Sequence, residues 1–369
     1  MRMETNFGTT RAYTVGVEEE FQLVDPTSRE LVPVIDAVLA SRDAAGLSAD
    51  AVASELSASC VEMRSPVYGT VAELAADLPV LRRRLQKLAE GCGASLASAG
   101  SHPFSEPTAQ PITAKERYHE VDREMGWTAW MQAIYGLHVH VAVPDAQRAI
   151  RAVNTLSRHV PLFVALSANS PFWGGLDTLL ASVRVKVFDL VPRSGLPPDF
   201  RSWEDFEGYV DALVEAGSIP DYSLCWWDVR PHPRLGTVEL RAPDAQTEAS
   251  RTASLAALTQ CLVATADEYT GESPLFTEEN KWRAARYGLD ARLYDFTTGR
   301  EAPARAVIRE LVKTLRSVSL DLGCEAELEG VLEIVESGTG ADRQRAVFAE
   351  HGSTQEVAEY LVAKTTLGS

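Results

Sequence analysis

Hydrophobic positions along the chain follow two periods. Val71, Leu74, Leu78, Leu81, Leu85 and Leu88 recur every three or four residues, the spacing of one buried face of an α-helix. Thr70 and Glu73 stand ahead of that run in the pattern of a capping box, and Gly91 marks its stop. Pro79 lies inside it, lacks a backbone donor, and predicts a kink or a split near Leu78. A second helix is expected from Ser202, with Phe206, Tyr209, Val210, Leu213 and Val214 on one side and Gly217 at its end. After residue 245 the pattern is almost all helical, most plainly over 303–319.

Other segments alternate. In VGVEEEFQLV (15–24), Val15, Val17, Phe21 and Leu23 face one way, and Gly16, Glu18, Glu20 and Gln22 the other. Residues 60–65 set Val61 and Met63 against Cys60, Glu62 and Arg64. GLHVHVAV (136–143) sets Leu137, Val139, Val141 and Val143 against Gly136, His138, His140 and Ala142. GTVELRA (236–242) sets Val238 and Leu240 against Thr237, Glu239 and Arg241. Each strand offers an apolar face to helices and a second face bearing ionisable groups two residues apart. Joined in one antiparallel sheet, they gather Glu18, Glu20, Glu62, Glu239, His138, His140, Arg64 and Arg241 on one surface. Contributors spread from residue 18 to residue 241 cannot be separated at a linker. The pattern therefore predicts one α+β domain over 1–369, with the sheet and site inside 12–245 and a largely helical part over 246–369. Two Pro-rich loops, 101–113 and 191–200, are expected to flank the mouth of the site.

Composition narrows the chemistry. Hydrophobic residues at 45% and charged residues at 24% suit a globular chain, which excludes disordered and low-complexity classes. Lys plus Arg number 35 and Asp plus Glu 52, a formal charge of −17, so a nucleic-acid partner is not expected. The cysteines are 5 in number and form no Cys-x-x-Cys pair, which fits a reduced protein better than a disulfide framework. The first residues lack a signal-peptide apolar core, and no apolar run of about 18 residues exists, so a cytoplasmic, membrane-free protein is expected.

Four carboxylates on a partly buried face need protons or cations. Like charges about 4 Å apart cost on the order of 4 kcal/mol at an effective dielectric of 20. Arg64 and Arg241 neutralise two of them, and the remaining carboxylates with an imidazole suit Mg²⁺ or Mn²⁺. Taken singly, Glu18 and Glu20 fit a solvated sheet face, His138 and His140 fit structural histidines, and each arginine fits a surface ion pair. The recurrence over four strands, with no Lys in the set, favours a site for phosphate chemistry. Two other classes stay open: a zinc-dependent hydrolase using His-x-His, which leaves most glutamates idle, and a non-catalytic module that binds an amino acid or a metal. No GxxxxGK[ST] and no GxGxxG sequence is present, so a nucleotide would be held by another device.

The segments VGVEEEFQLVDP, CVEMRSPV, GSHPF, YGLHVHVAVPD, LSANSPFWGGLDTLLAS, PRSGLPPDF, WWDVRPHPRLGTVELRAPDA and ENKWRAARYGLDA stand in the order of similar blocks in a known family. Over almost its whole length the chain resembles the YbdK-like carboxylate-amine ligases, the glutamate–cysteine ligase type 2 group, more distantly related to glutamine synthetase. The resemblance implies a curved antiparallel sheet forming an active-site funnel with helices packed outside. It also implies ATP with Mg²⁺ or Mn²⁺, small-molecule acid and amine substrates, and a homodimer. Carried over by motif, Glu18, Glu20, Glu62, His138 and Glu239 are implied metal ligands, with His138 on the ion shared by Glu18 and Glu239. Arg241 is implied to face the transferred phosphoryl group. Arg64, His140 and Arg184 are implied to contact nucleotide phosphate or the acceptor carboxylate, and Arg283 and Arg286 are either an anion clamp or surface arginines of a helix. The implied reaction is ATP-dependent amide formation through an acyl phosphate, with weak glutamate–cysteine ligation as the family label. Around Arg184 the family reads like Ser-Tyr-Arg-Ser where this chain has Ser182-Val183-Arg184-Val185, which leaves a different acid or amine open.

Overall fold

The computed structural model describes residues 3–266 and 274–367. Its strands are β1 (Val15–Val24), β2 (Val52–Ser54), β3 (Cys60–Arg64), β4 (Ser95–Ala97), β5 (Leu137–Ala142), β6 (Phe172–Trp173), β7 (Leu176–Asp177), β8 (Val229–His232), β9 (Thr237–Leu240), β10 (Arg292–Asp295) and β11 (Arg300–Pro303). The helices are α1 (Ile35–Ser41), α2 (Val71–Gly91), α3 (Glu116–Met125), α4 (Trp127–Trp130), α5 (Ala146–Ser167), α6 (Val183–Phe188) and α7 (Trp203–Glu215). They continue with α8 (Ala249–Ala264), α9 (Pro274–Tyr287), α10 (Ala304–Leu322), α11 (Glu325–Ser337), α12 (Gly340–His351) and α13 (Thr354–Leu367).

The main sheet has 7 strands in the order β2-β3-β1-β5-β9-β8, with β4 paired to the end of β1. Every pairing in it is antiparallel, and the sheet does not close. The alternation read from the sequence is the reason for its two faces. Val15, Val17, Phe21 and Leu23 of β1, Val61 and Met63 of β3, Val139 and Val141 of β5, and Val238 and Leu240 of β9 are all buried in one core. α2, α5 and α8 cover that face, and α9, α10 and α11 pack outside them. α8 is buried on nearly every side, as its apolar, alanine-rich sequence requires of a helix held between a sheet and an outer helical layer.

Two details depart from expectation. α2 begins at the Thr70 capping box and runs unbroken to Gly91 in spite of Pro79. Pro79 and Ala75, the residue whose carbonyl loses its partner, are only half-buried, so water reaches that end and the loss does not split the helix. Glu19 falls on the apolar side of β1 and is buried there against Arg82 of α2. Arg82 Nε donates to Glu19 Oε2 at 3.0 Å, and its other nitrogens donate to the Thr247 and Gln246 carbonyls at 2.9 Å. Among the described residues, the 246–369 part consists of helices and their connections apart from the β10–β11 hairpin. Among the described residues, no helix is long and apolar enough to cross a membrane.

Candidate active site

Strand register brings the polar face together. Glu18 lies opposite Arg64 on β3 and His138 on β5, Glu20 opposite Glu62, and His140 opposite Glu239. Residues directly opposite in an antiparallel pair share a face with Cβ atoms about 5 Å apart, so register alone makes these groups neighbours. His138 Nδ1 is 3.2 Å from Glu18 Oε2 and 4.0 Å from Glu239 Oε1, and its Nε2 is 3.8 Å from Glu20 Oε1. Arg64 Nε donates to Glu62 Oε1 at 2.6 Å and lies 3.5 Å from Glu18 Oε1. Arg241 donates to Glu239, whose other oxygen accepts from Arg230 Nε at 2.6 Å.

Three groups of side chains have ligand atoms within 4.8 Å of one another: Glu18, His140 and Glu239; Glu18, Glu62 and His138; and Glu20, Glu55 and Glu62. The donor set is carboxylate with single imidazoles, which suits Mg²⁺ or Mn²⁺. His140 Nε2 is buried without a hydrogen-bond partner, 3.8 Å from Glu18 Oε2, while its Nδ1 is held 3.0 Å from Thr237 Oγ1. In these groups His140 stands with Glu18 and Glu239, while His138, which also lies near both, stands with Glu18 and Glu62. The two histidines fall in different groups, so among the described residues His-x-His forms no two-histidine zinc centre.

Electrostatics divides the face into two ends. Burial pushes the Glu20 and Glu55 carboxyls up to about 7, with Glu62 adding to the rise at Glu20 and Glu20 adding to the rise at Glu55. Burial and the charges of Glu18 and Glu55 raise Glu62 well above the usual carboxylate range. Burial thus disfavours the charged form of all three acids, and a proton or a divalent ion relieves that cost. At the other end burial also acts upward, but it is outweighed: His138 and His140 hold Glu18 low, and Arg230 and Arg241 hold Glu239 low. Burial, reinforced by Arg241, pulls His138 down to about 4. Burial also acts downward on His140, but the Glu18 and Glu239 carboxylates raise it.

Arg184 is buried beside this face. Its guanidinium donates to the Ala242 and Arg241 carbonyls at 3.0 and 3.2 Å, and a Cβ on Gly136 would lie 2.2 Å from its Nη2. Only glycine leaves room for that guanidinium. Asp244, buried under Arg184, accepts from Ser182 Oγ at 2.8 Å and Ser170 Oγ at 2.7 Å and fixes the start of α6. Val183 and Val185, the departures from the family pattern, are buried and do not line the cavity in front of Arg184.

Arg283 and Arg286 do not join the cluster. Arg283 pairs with Glu279 and Glu301 on the outer surface, and Arg286 donates to the Leu179 carbonyl beside its own Tyr287 ring. Among the buried side chains of that helix is Lys281, 2.7 Å from Asp228 Oδ2 and 3.0 Å from Asp189 Oδ1. Asp228 in turn accepts the Arg241 backbone N–H through its carbonyl at 2.7 Å. Lys281 shares a buried face of α9 with Thr277, Asn280, Ala284 and Ala285, a face too polar to stand out as an apolar period. Arg230 was legible in principle, since Val-Arg-Pro-His alternates and Pro231 marks an edge strand, which β8 is. Glu55 follows β2 directly and carries no pattern of its own.

An open antiparallel sheet whose inner face gathers carboxylates, imidazoles and arginines over a helical back is the fold class of glutamate–cysteine ligases. The structure is similar to that of a glutamate–cysteine ligase from Francisella tularensis in complex with AMP, with TM-score 0.73 over 98% of this chain and 90% of that one at 14% identity. It is also similar to a bifunctional glutathione synthetase from Pasteurella multocida, with TM-score 0.69 over 96% of this chain and 52% of that one at 15% identity. At those identities the likeness is one of fold. The family described as glutamate-cysteine ligase family 2 matches residues 14–360. A Rubrobacter xylanophilus protein named "Putative glutamate--cysteine ligase 2-3" is 65% identical over 363 residues, covering 98% of this chain and 100% of that relative. Another from the same organism, named "Putative glutamate--cysteine ligase 2-1", is 48% identical over 370 residues, 99% of this chain and 98% of its own. The chain belongs to glutamate-cysteine ligase family 2 and is an ATP-dependent ligase that forms carbon–nitrogen bonds.

Proposed function

We propose that the protein joins a carboxylic acid to an amine through an acyl phosphate, with Glu18, Glu20, Glu62, His138 and Glu239, joined by Glu55 and His140, as the ligands of Mg²⁺ or Mn²⁺. The observation that carries this reading is the meeting of these acids in three ligand groups on one sheet face. Bound there, the ions supply charge neutralisation for the triphosphate. Glutamate as the acid and cysteine as the amine follow from the names of the relatives, as weak activity within a broader ligase chemistry. Cytoplasmic location and a homodimeric assembly belong to the same reading and rest on family resemblance.

The chain's own groups do the positioning. The acid's carboxylate oxygen attacks the γ-phosphorus of ATP and ADP leaves; the amine nitrogen then attacks the acyl carbon and phosphate leaves. Such transfer needs alignment and charge stabilisation rather than a nucleophilic side chain. Arg241 is steered by Glu239, and its Nε is buried without a partner, a free donor for a phosphoryl oxygen. Glu239 is itself held by Arg230, which also donates to the Ser223 and Cys225 carbonyls at 3.0 and 3.2 Å. Arg184 Nε is likewise buried and unpartnered, beside Glu20, and serves a carboxylate. Phosphate release from ATP and Mg²⁺ or Mn²⁺ in the presence of paired acids and amines tests the reading. Release should require both partners and yield an amide by mass spectrometry. Release with no amine defeats it.

A further inference from the structure

α9 carries a buried charge that neither the ligand groups nor the phosphoryl contacts use. Lys281 is 1% exposed, with Nζ 2.7 Å from Asp228 Oδ2 and 3.0 Å from Asp189 Oδ1. Burial acts against the ammonium, but the two carboxylates outweigh it and raise Lys281 above its ordinary value, so the side chain is charged.

Holding α9 in place does not need that charge. Ala284 and Ala285 are buried in the main core, and the Ala285 carbonyl accepts Ala181 N at 2.8 Å and Ser182 N at 3.0 Å. The Asn280 side chain exchanges two hydrogen bonds of 2.8 Å with the Tyr294 backbone. An apolar side chain at 281 would serve the helix as well, since desolvating an ammonium is costly and replacing a buried ion pair by apolar residues is often neutral or better.

What an apolar residue could not do is fix two acids from separate segments against one point. Asp189 directly follows Phe188, the last residue of α6, and Asp228 follows Trp226 and Trp227 into β8. Phe188, Trp226 and Arg241 all line the cavity in front of Arg184. The Asp228 carbonyl accepts the Arg241 N–H at 2.7 Å, and the Asp228 N–H donates to the Gly195 carbonyl at 2.7 Å. Asp228 is thus tied through its side chain to Lys281, through its carbonyl to Arg241 and through its N–H to the 191–200 loop. Asp189 has a second cation in Lys186, whereas among the described residues Lys281 is the one cation within 4.0 Å of the Asp228 carboxylate.

Resting on the ligase reading above, in which Arg241 faces the transferred phosphoryl group, we propose that Lys281 is a positioning residue for that arginine: through Asp228 it fixes the backbone from which Arg241 is aimed. An arginine aimed at charge that develops in the transition state acts on kcat rather than on ground-state binding.

Phosphate release from ATP by wild type, Lys281→Met, Asp228→Asn and the double variant tests this, at a temperature where circular dichroism shows each chain folded. Each single variant should lower kcat about tenfold or more, with the KM for ATP within about threefold of wild type. Because both act along one path, the double variant should match the slower single variant within about twofold, where independent sites would multiply to about a hundredfold. A merely structural lysine gives another pattern. Folded Lys281→Met or Asp228→Asn turning over at the wild-type rate, a loss seen in KM alone, or a double variant showing the full product overturns the proposal. Lys281→Met leaves Asp228 buried without its cation. Should it fail to fold, the double variant removes both charges, leaves Asp189 with Lys186, and is compared with Asp228→Asn alone. Equal rates, both below wild type, support the link, and a further tenfold loss, roughly what a second independent site would add, overturns it. A wild-type chain with no turnover for any pair of acid and amine defeats the ligase reading and this proposal with it, whereas active wild type beside equally active folded variants overturns the role of Lys281 alone.

Discussion

At the scale of single residues, protonation state separates acids that look alike in sequence. Glu20 is pushed up to about 7 by burial and its neighbours, so its neutral form is cheap, whereas Glu239 is the counter-charge of two buried arginines. Glu20→Gln should therefore leave metal-free thermal stability within about 1 kcal/mol of wild type while abolishing ATP turnover. Glu239→Gln should lose both, with unfolding free energy down by about 3 kcal/mol because two guanidiniums lose their partner. Urea melts beside the phosphate assay distinguish the two outcomes. Gly136→Ala places a carbon where the Arg184 guanidinium lies, and a drop of at least tenfold in kcat/KM with a folded protein is the expected result. His102 makes a cleaner pH probe, since it belongs to none of the ligand groups. Its Nε2 donates to the Arg29 carbonyl at 2.8 Å and its Nδ1 accepts from Ser105 N at 2.9 Å, so a second ring proton would oppose a backbone donor. Burial lowers it from 6.5 to about 4. Between those values the unfolded chain binds the extra proton, so stability falls as pH drops from 6.5 toward 4, by on the order of 3 kcal/mol. His102→Gln should flatten that part of the pH–stability curve measured by urea unfolding.

At the scale of elements, the buried pair of Glu19 and Arg82 clamps β1 to α2 through the core. Arg82→Met leaves Glu19 charged with only Thr252 beside it, 2.7 Å away, and should cost about 3–5 kcal/mol in a denaturant titration. The strands that carry the site were legible because Val, Phe, Leu and Met alternate with Glu, His and Arg over four to ten residues, a period no helix tolerates. The Thr70 and Ser202 helix starts were legible for a different reason, since a capping side chain is a local device. β2 and β4 span three residues each, too short for a period to register. Glu55 reaches the site, and Lys281 its Asp228 support, through tertiary placement, one from an irregular segment and one from a helix whose buried face mixes Thr, Asn and Lys with two alanines. Arg283 and Arg286 share the Lys281 helix but not its inward direction, and spacing along a sequence does not reveal which way such a helix turns.

At the scale of the whole molecule, a net charge of −17 and a concentration of acids on one sheet face predict that divalent cations stabilise the native state. A divalent ion that binds the folded chain and not the unfolded one should raise stability by about 2.7 kcal/mol at a concentration 100 times its dissociation constant. Thermal melts with and without Mg²⁺ or Mn²⁺ should show the rise, and Glu20→Gln should blunt it. The two layers of helices behind the sheet give the other half of the picture: they seal one face completely, so chemistry is confined to the face they leave open.

The pairing register across β3, β1, β5 and β9 carries one more implication, for length rather than identity. Because side chains alternate, inserting or deleting one residue within any of these strands rotates its whole set of acids and histidines toward the helices and its valines toward the cavity. Point changes injure one corner of the site, while a single-codon shift inverts an entire edge of it. These strands are therefore locked in length, and growth or shrinkage of the chain is confined to the connections between them.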